Sequence, residues 1–206
     1  MKRGRRKKEK RGIRGLSFLF SIILIIISSS AYFAKNPYWF YGAVVGVWLF
    51  FDNLSFWRGN KTTLDMLIQG RYRKFSLIFI ALAIFGSLIE IIGNGLLDFW
   101  DYSYLSPFTI VITTPLVYPF ILMSFREMFS FIHSFFRSYP VAVSVVLSML
   151  SGIVIWETPN VYSMDWIYEI PFMDFSIFQI NIAVIIGWAI LILGPIYLYE
   201  LVERFQ

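Results

Sequence analysis

Glu90 lies in the apolar stretch SLIEIIGNGLLDFWDY, where a carboxyl group is costly. Asn94 follows it by four residues, and Trp100 and Tyr102 follow the asparagine at intervals of six and eight. An acidic residue facing lipid at a helix centre costs about 3 kcal/mol, so such residues face protein or a water-filled cavity. Four residues apart on a helix, Glu90 and Asn94 share one face. The pattern therefore marks Glu90 as a candidate functional group.

A similar set lies further along, in IVIWETPNVYSMDWIYEIP. There Asn160 precedes Trp166 and Tyr168 at the same spacing, 66 residues after the first set. A carboxyl buried in apolar surroundings can keep its proton and act as a general acid. Aromatic rings can enclose an apolar chain or stabilise a cationic intermediate. We predict that the two glutamates, Glu90 and Glu157, are catalytic. We predict that six further residues bind substrate, namely Asn94, Trp100, Tyr102, Asn160, Trp166 and Tyr168.

The same residues also have a structural explanation. Tryptophan and tyrosine at helix ends anchor a protein at the level of the lipid headgroups. A buried glutamate can bond to another helix and hold the packing together. We expect Glu90 to face the interior of the bundle within reach of a polar group from another helix. Its expected partners are Asn94 and the second set's Glu157 or Asn160.

The composition is that of a membrane protein. Hydrophobic residues make up 58% of the 206 residues. Runs of about 20 such residues are typical of transmembrane helices, whose backbone groups are all satisfied within the helix. We predict an all-α integral membrane bundle of six transmembrane helices. Their predicted positions are roughly 15–34, 38–57, 75–97, 107–125, 139–156 and 176–199.

The distribution of charge predicts the topology. Nine of the 18 Lys and Arg residues lie in the first fourteen positions. If the N-terminus is inside, only Lys35 of these basic residues is outside, as the positive-inside rule favours. We predict a multi-pass protein of the cell membrane with cytoplasmic termini. It has a basic cytoplasmic tail at residues 1–14 and a single transmembrane domain at residues 15–206.

The basic segment and the first helix have alternative interpretations. A basic run can bind nucleic acid, but its position directly before an apolar span favours topology and anionic lipid headgroups. We therefore expect membrane lipids and no nucleic acid as partners. The first helix also resembles a signal peptide, since Ser29 and Ala31 suit a cleavage site. The apolar run continues through residues 32–34, which favours an uncleaved helix.

The two Glu/Asn/Trp/Tyr sets suggest an internal repeat. The third and fifth predicted helices both run outward and both end in such a set. Each is followed by a proline, Pro107 or Pro171, and a returning helix. This arrangement predicts two helical hairpins, the third with the fourth helix and the fifth with the sixth, repeated in parallel orientation.

Residue types limit the chemistry. The chain has no cysteine and one histidine, His133, which we place in a loop. We therefore expect no metal site and no cofactor. Asp52 and Asn53 lie toward the cytoplasmic end of the second helix, and we expect an ion pair with Arg58 or Lys61, or placement at the membrane interface, rather than a site.

The order of these elements resembles a known group of proteins. The second helix carries an aspartate, and it is followed by a basic loop and by a helix ending in Glu, Asn and Trp-x-Tyr. After these come WETPN…DWIYEIPF and Gly187–Trp188. Over residues 38–200 this resembles a family of prokaryotic multi-spanning membrane proteins without an assigned activity. A fainter similarity links it to membrane-bound carotenoid cyclases and hydratases. Those enzymes have paired acidic residues after the proline, where IPFMDF offers only Asp174.

Three functions follow as hypotheses. The first is an enzyme that acts on a lipid or isoprenoid at the outer half of the membrane, with Glu90 and Glu157 as acids. The second is a transporter or permease with a polar pathway around Glu90. The third is a non-catalytic membrane protein that scaffolds or assembles partners.

Overall fold

The computed structural model describes residues 2–171, 175–177 and 180–204, with side chains from residue 12 onward. Asp174 lies outside the described residues. The helices are α1 (Lys2–Phe33), α2 (Trp39–Trp57), α3 (Thr63–Ile68), α4 (Tyr72–Glu90), α5 (Pro107–His133), α6 (Val141–Gly152), α7 (Thr158–Ser163) and α8 (Ile182–Arg204). Two π-helical segments extend them, Ile91–Leu96 after α4 and Ile153–Glu157 between α6 and α7. Two small antiparallel pairs join β1 (Trp100–Tyr102) to β2 (Trp166–Tyr168) and β3 (Ser176–Ile177) to β4 (Ile180–Asn181).

Among the described residues, five helical stretches are long and apolar enough to cross a membrane. They are Gly12–Phe33, Tyr72–Leu96, Pro107–His133, Val141–Ser163 and Ile182–Arg204. The chain is therefore a helical, multi-pass membrane protein. The second predicted span, residues 38–57, corresponds to α2, which has 19 residues, carries Asp52 and Asn53 and is not among the five. It packs between α1 and α5.

Several predicted boundaries differ from the structure. α1 begins at Lys2, so the basic segment continues the first helix. α5 runs to His133, beyond the predicted end at residue 125, so Arg126 and Glu127 lie within the helix. His133 is therefore helical, and its Nδ1 lies 3.0 Å from Ser144 Oγ. α8 begins at Ile182, later than predicted, because the β3–β4 hairpin precedes it.

α5 is the central helix and contacts α2, α4, α6 and α8. Its side chains Leu122 and Phe125 are buried in the core with Ile192 of α8 and Trp48 of α2. The ring of Phe125 packs edge-on against Trp188 of α8 at a centroid distance of 4.9 Å. These contacts form an apolar layer across the middle of the bundle.

At the end of the bundle opposite the Trp-x-Tyr motifs, Arg14 joins α1 to α2 and α3. Its guanidinium pairs with Asp52 of α2 and donates to Thr62 Oγ1 at 2.7 Å and Asp65 Oδ1 at 3.1 Å. The expected pairing of Asp52 with Arg58 or Lys61 is therefore wrong. α1 extends below the span as a continuous helix, which brings Arg14 onto the carboxylate.

Asp52 is also tied to α3 and α5. Its Oδ2 accepts from Thr63 Oγ1 at 2.9 Å and from the backbone nitrogen of Leu64 at 2.8 Å. Glu127 of α5 accepts from the backbone nitrogen of Thr63 at 3.0 Å and from Arg126 at 2.6 Å. This buried network fixes α1, α2, α3 and α5 relative to one another at this end of the bundle.

Candidate functional site

The two Trp-x-Tyr motifs form one ribbon. β1 and β2 are antiparallel, with Trp100 opposite Tyr168 and Tyr102 opposite Trp166. Side chains alternate along a strand, so the four aromatic residues lie on one face and the central residues on the other. The aromatic side chains are half-buried, whereas Asp101 and Ile167 are exposed. The ribbon thus brings together residues that are 66 positions apart in the sequence.

Glu90 is buried beneath this ribbon. Its Oε2 accepts hydrogen bonds from Tyr118 of α5 at 2.8 Å and from Tyr102 at 3.0 Å. Its Oε1 accepts from Trp100 Nε1 at 3.3 Å. The prediction that Glu90 faces the bundle interior within reach of another helix is confirmed.

The partners expected for Glu90, namely Asn94, Glu157 and Asn160, are wrong. Chain reversal after the π-helical segment Ile91–Leu96 folds β1 back over the helix end, which places aromatic donors on the carboxylate. The spacing within the motif did not indicate this reversal.

Glu157 occupies a corresponding place in the second set. Its Oε1 accepts from Tyr168 at 2.8 Å and from Trp188 Nε1 at 3.2 Å, and Trp166 Nε1 donates to the Tyr168 hydroxyl at 3.0 Å. Both hydrogen bonds to this carboxylate end on Oε1. Oε2 receives none from the residues that the structure describes.

A glycine lies beneath the aromatic donor at each glutamate. A Cβ on Gly86 would lie 2.3 Å from Tyr118, the donor to Glu90. A Cβ on Gly152 would lie 2.3 Å from the ring of Trp188, the donor to Glu157. These glycines permit close approach of the neighbouring helix, so that its aromatic side chain reaches the carboxylate.

The two asparagines bind the ribbon's backbone. Asn94 Nδ2 donates to the carbonyl of Trp100 at 2.6 Å, and Asn160 Nδ2 donates to the carbonyl of Trp166 at 2.8 Å. Asn160 Oδ1 also accepts from the backbone nitrogen of Trp166 at 3.0 Å. Each asparagine thus fixes the strand that begins six residues after it.

Beneath the ribbon lies a cavity of about 720 Å³. The predicted residues that line it are Trp100, Tyr102, Glu157, Trp166 and Tyr168, whereas Glu90, Asn94 and Asn160 are not part of its wall. The rest of the wall is mostly aliphatic and aromatic, from α2, α4, α5 and α8. Glu157 and Asp165 supply the charged groups among the described lining residues.

The ribbon's two tyrosines remain hydrogen-bond donors at neutral pH. Burial, followed by the negative charge of Glu90, raises the pKa of Tyr102. Burial and then the charge of Glu157 raise the pKa of Tyr168. Desolvation and a neighbouring carboxylate both disfavour the phenolate. Each hydroxyl therefore keeps its proton and donates a hydrogen bond to a glutamate.

Sequence analysis did not predict four residues as part of this site, namely Tyr118, Trp188, Asp165 and Trp39. Tyr118 and Trp188 come from the returning helices, and Asp165 accepts from Trp39 Nε1 of α2 at 2.6 Å. The only signal was the position of the Gly–Trp pair, 187–188, within an apolar run. Among the described residues, no group of three His, Cys, Asp or Glu side chains is placed to hold a metal ion.

Comparison with known proteins finds no match to this chain among family models, curated proteins or solved structures. The resemblances drawn from its motifs therefore stay predictions, and the function rests on the geometry of the site.

Proposed function

We propose that this chain is a multi-pass protein of the cell membrane that binds an apolar lipid or isoprenoid chain and presents Glu157 to it. In this proposal α2 also crosses the membrane, which brings the number of spans to six. Both termini are cytoplasmic, and the cavity lies in the outer half of the bilayer. The two hairpins, α4–α5 and α6–α8, are repeats whose Trp-x-Tyr motifs pair across a pseudo-twofold axis.

The cavity beneath the ribbon carries the proposal. Its volume of about 720 Å³ falls within the roughly 300–1,000 Å³ of small-molecule sites. Such sites are largely apolar and have a few polar groups that orient the ligand. Here the walls are mostly aliphatic and aromatic, and the Glu157 carboxyl is part of them. An apolar chain with one reactive or polar position suits that combination.

The two glutamates have different roles in this proposal. Glu90 accepts three hydrogen bonds and is absent from the cavity wall, which supports a structural role in holding β1. Glu157 lines the cavity and keeps Oε2 free of hydrogen bonds within the described chain. The enzymatic form of the proposal therefore assigns the acid to Glu157.

The chemistry available to Glu157 is proton transfer. A protonated carboxyl can add its proton to a carbon–carbon double bond of a bound isoprenoid and leave a carbocation. The faces of Trp166 and Trp188 can stabilise that positive charge. Return of a proton from a neighbouring carbon to the carboxylate completes an isomerisation or cyclisation that needs no cofactor.

The transport hypothesis receives less support from the geometry. A pathway would have to connect the cavity with the buried network at the inner ends of the helices. Phe125 and Trp188 pack against each other between them at a centroid distance of 4.9 Å. We therefore retain binding, with or without chemistry, as the proposal.

Gly187 allows a direct test. It lines the cavity, and a Cβ added there would meet nothing within 4 Å, so Gly187→Leu adds side-chain volume at the cavity wall. We expect this variant to lose most of the labelling of purified protein by a photoreactive isoprenoid alcohol. Gly15→Leu is the matched control, since its Cβ would also meet nothing and it lies in α1, away from the cavity.

Two results would contradict the proposal. One is equal labelling of Gly187→Leu and Gly15→Leu. The other is labelling of the unaltered protein that excess unlabelled isoprenoid does not reduce, because the label would then be reacting with the lipid-facing surface. Either result would leave a scaffolding role as the better explanation of the aromatic ribbon.

A further inference from the structure

We infer that the apolar chain reaches the cavity sideways from the bilayer, through a gap between α4 and α8. This inference rests on the proposed function, because it concerns how the same cavity is filled. The gap is defined by Leu88 and Ile92 on one side and by Ile186 and Ile190 on the other.

These four residues belong to the cavity and to the outer surface at once. All four line the cavity. Leu88 and Ile92 are each 49% exposed, and Ile186 and Ile190 are each 58% exposed. Side chains four residues apart lie on the same helix face, so each pair forms a continuous edge. Both edges lie in apolar membrane-crossing stretches, where an exposed side chain contacts lipid hydrocarbon.

The gap has a defined inner limit. α4 and α8 meet where the ring of Phe85 covers Gly194, at 2.4 Å from the position of a Cβ there. Leu88 and Ile92 come after Phe85 on a helix that runs outward. Ile190 and Ile186 come before Gly194 on a helix that runs inward. The gap therefore opens outward of the Phe85–Gly194 contact, at the depth of the cavity.

Two further sides of the cavity are covered by packed residues. Toward the outer aqueous face, β1 and β2 lie over it and are held by Asn94 and Asn160. Toward α2, the Phe40 ring packs edge-on against Trp156 at 5.2 Å and Trp166 at 5.6 Å. Covered sides and an apolar, lipid-facing gap favour loading by a chain that is already dissolved in the bilayer.

The path from water is also chemically unfavourable for such a ligand. Carboxylates of Asp98, Asp101 and Glu169 surround a small polar hollow beside Trp100 on the outer face. An apolar chain that passed these groups would desolvate them without replacing their hydrogen bonds, which costs free energy. The lateral route avoids that cost because its edges carry only aliphatic side chains.

The test measures the rate of loading. Leu88→Trp with Ile190→Trp adds bulk at the lipid-facing edges, where the exposed side chains have room. Leu116→Trp with Val154→Trp is the matched control, since these residues are 58% and 66% exposed on other spans and do not line the cavity. Reconstituted protein is mixed with donor vesicles that contain the photoreactive isoprenoid alcohol, and labelling is followed over time and to its plateau.

We expect the Leu88/Ile190 variant to load several-fold more slowly than the control, with each rate taken relative to that variant's own plateau. Equal rates in the two double variants would overturn the lateral route. The binding function would still stand in that case if Gly187→Leu lowers the plateau. A plateau that Gly187→Leu does not lower would overturn the binding function itself. The two failures are therefore distinguishable in one set of measurements.

Discussion

Glu90 and Glu157 accept hydrogen bonds from the same kinds of donor, yet only Glu157 lines the cavity. For each glutamate, one donor is the tyrosine of its own Trp-x-Tyr motif and another comes from the returning helix, Tyr118 or Trp188. Pairing of like motifs at two positions does not imply equal roles. The difference lies in the carboxylate oxygens: both oxygens of Glu90 accept hydrogen bonds from the described residues, whereas only Oε1 of Glu157 does.

Substitution of each glutamate by glutamine tests this difference. We expect Glu157→Gln to bind the isoprenoid as before and to lose any conversion by about 10²–10⁴-fold, the usual effect of removing a general acid. Glu90→Gln keeps its conversion, because an amide oxygen still accepts from Tyr118 and Tyr102. The measurement is mass spectrometry of isoprenoid extracted from proteoliposomes. Loss of conversion in Glu90→Gln alone would reverse the assignment.

At the scale of elements, the two helical segments that carry the glutamates share a feature. Each contains a π-helical segment next to or including its glutamate, and a strand of the ribbon follows each. π-helical turns are frequent at functional sites. Here one π-helical segment begins directly after Glu90 and contains Asn94, and the other ends at Glu157.

The asparagines should contribute unequally to the ribbon. Asn160 makes two hydrogen bonds to the backbone of Trp166, whereas Asn94 makes one to Trp100. At about 1 kcal/mol for each bond, Asn160→Ala should lower the free energy of unfolding by about 2 kcal/mol and Asn94→Ala by about 1 kcal/mol. Chemical unfolding in detergent measures this difference. Faster proteolysis near residue 165 should accompany Asn160→Ala, and an equal effect of both substitutions would contradict this account.

The sequence was informative where a single helix decided the outcome. It predicted helical, membrane-crossing segments and the burial of Glu90, because apolar runs and the cost of a carboxyl in lipid act locally. It did not predict the pairing of Trp100 with Tyr168 or the bond from Arg14 to Asp52. Those contacts depend on how distant helices are arranged, which neither spacing nor composition encodes.

The whole molecule has polar groups at two depths, separated by the aromatic layer of Phe125 and Trp188. One group surrounds the cavity, and the other binds the ends of α1, α2, α3 and α5 to each other. The end with the cavity thus has room for a ligand, and the opposite end is fixed by charged contacts. This division agrees with a proposed orientation in which the basic end lies in the cytoplasm.

That orientation has a direct test. Reporter fusions after Lys74 and after Gln206 should report the cytoplasm, and fusions near Tyr104 and Tyr162 should report the exterior. The positive-inside rule links every short loop, so one misplaced loop changes the rest. A cytoplasmic signal near Tyr162 would contradict the six-span arrangement and with it the place of the cavity in the outer leaflet.

The contact between Arg14 and Asp52 also affects the order of assembly. The two residues are 38 positions apart and belong to adjacent helices. During synthesis α1 is made first, and its guanidinium has no carboxylate partner from α2 until that helix follows. A buried charge without a counter-charge is strongly unfavourable. We therefore expect pairing of the first two helices to precede the arrival of Glu127, and the later hairpins to be added to that N-terminal unit.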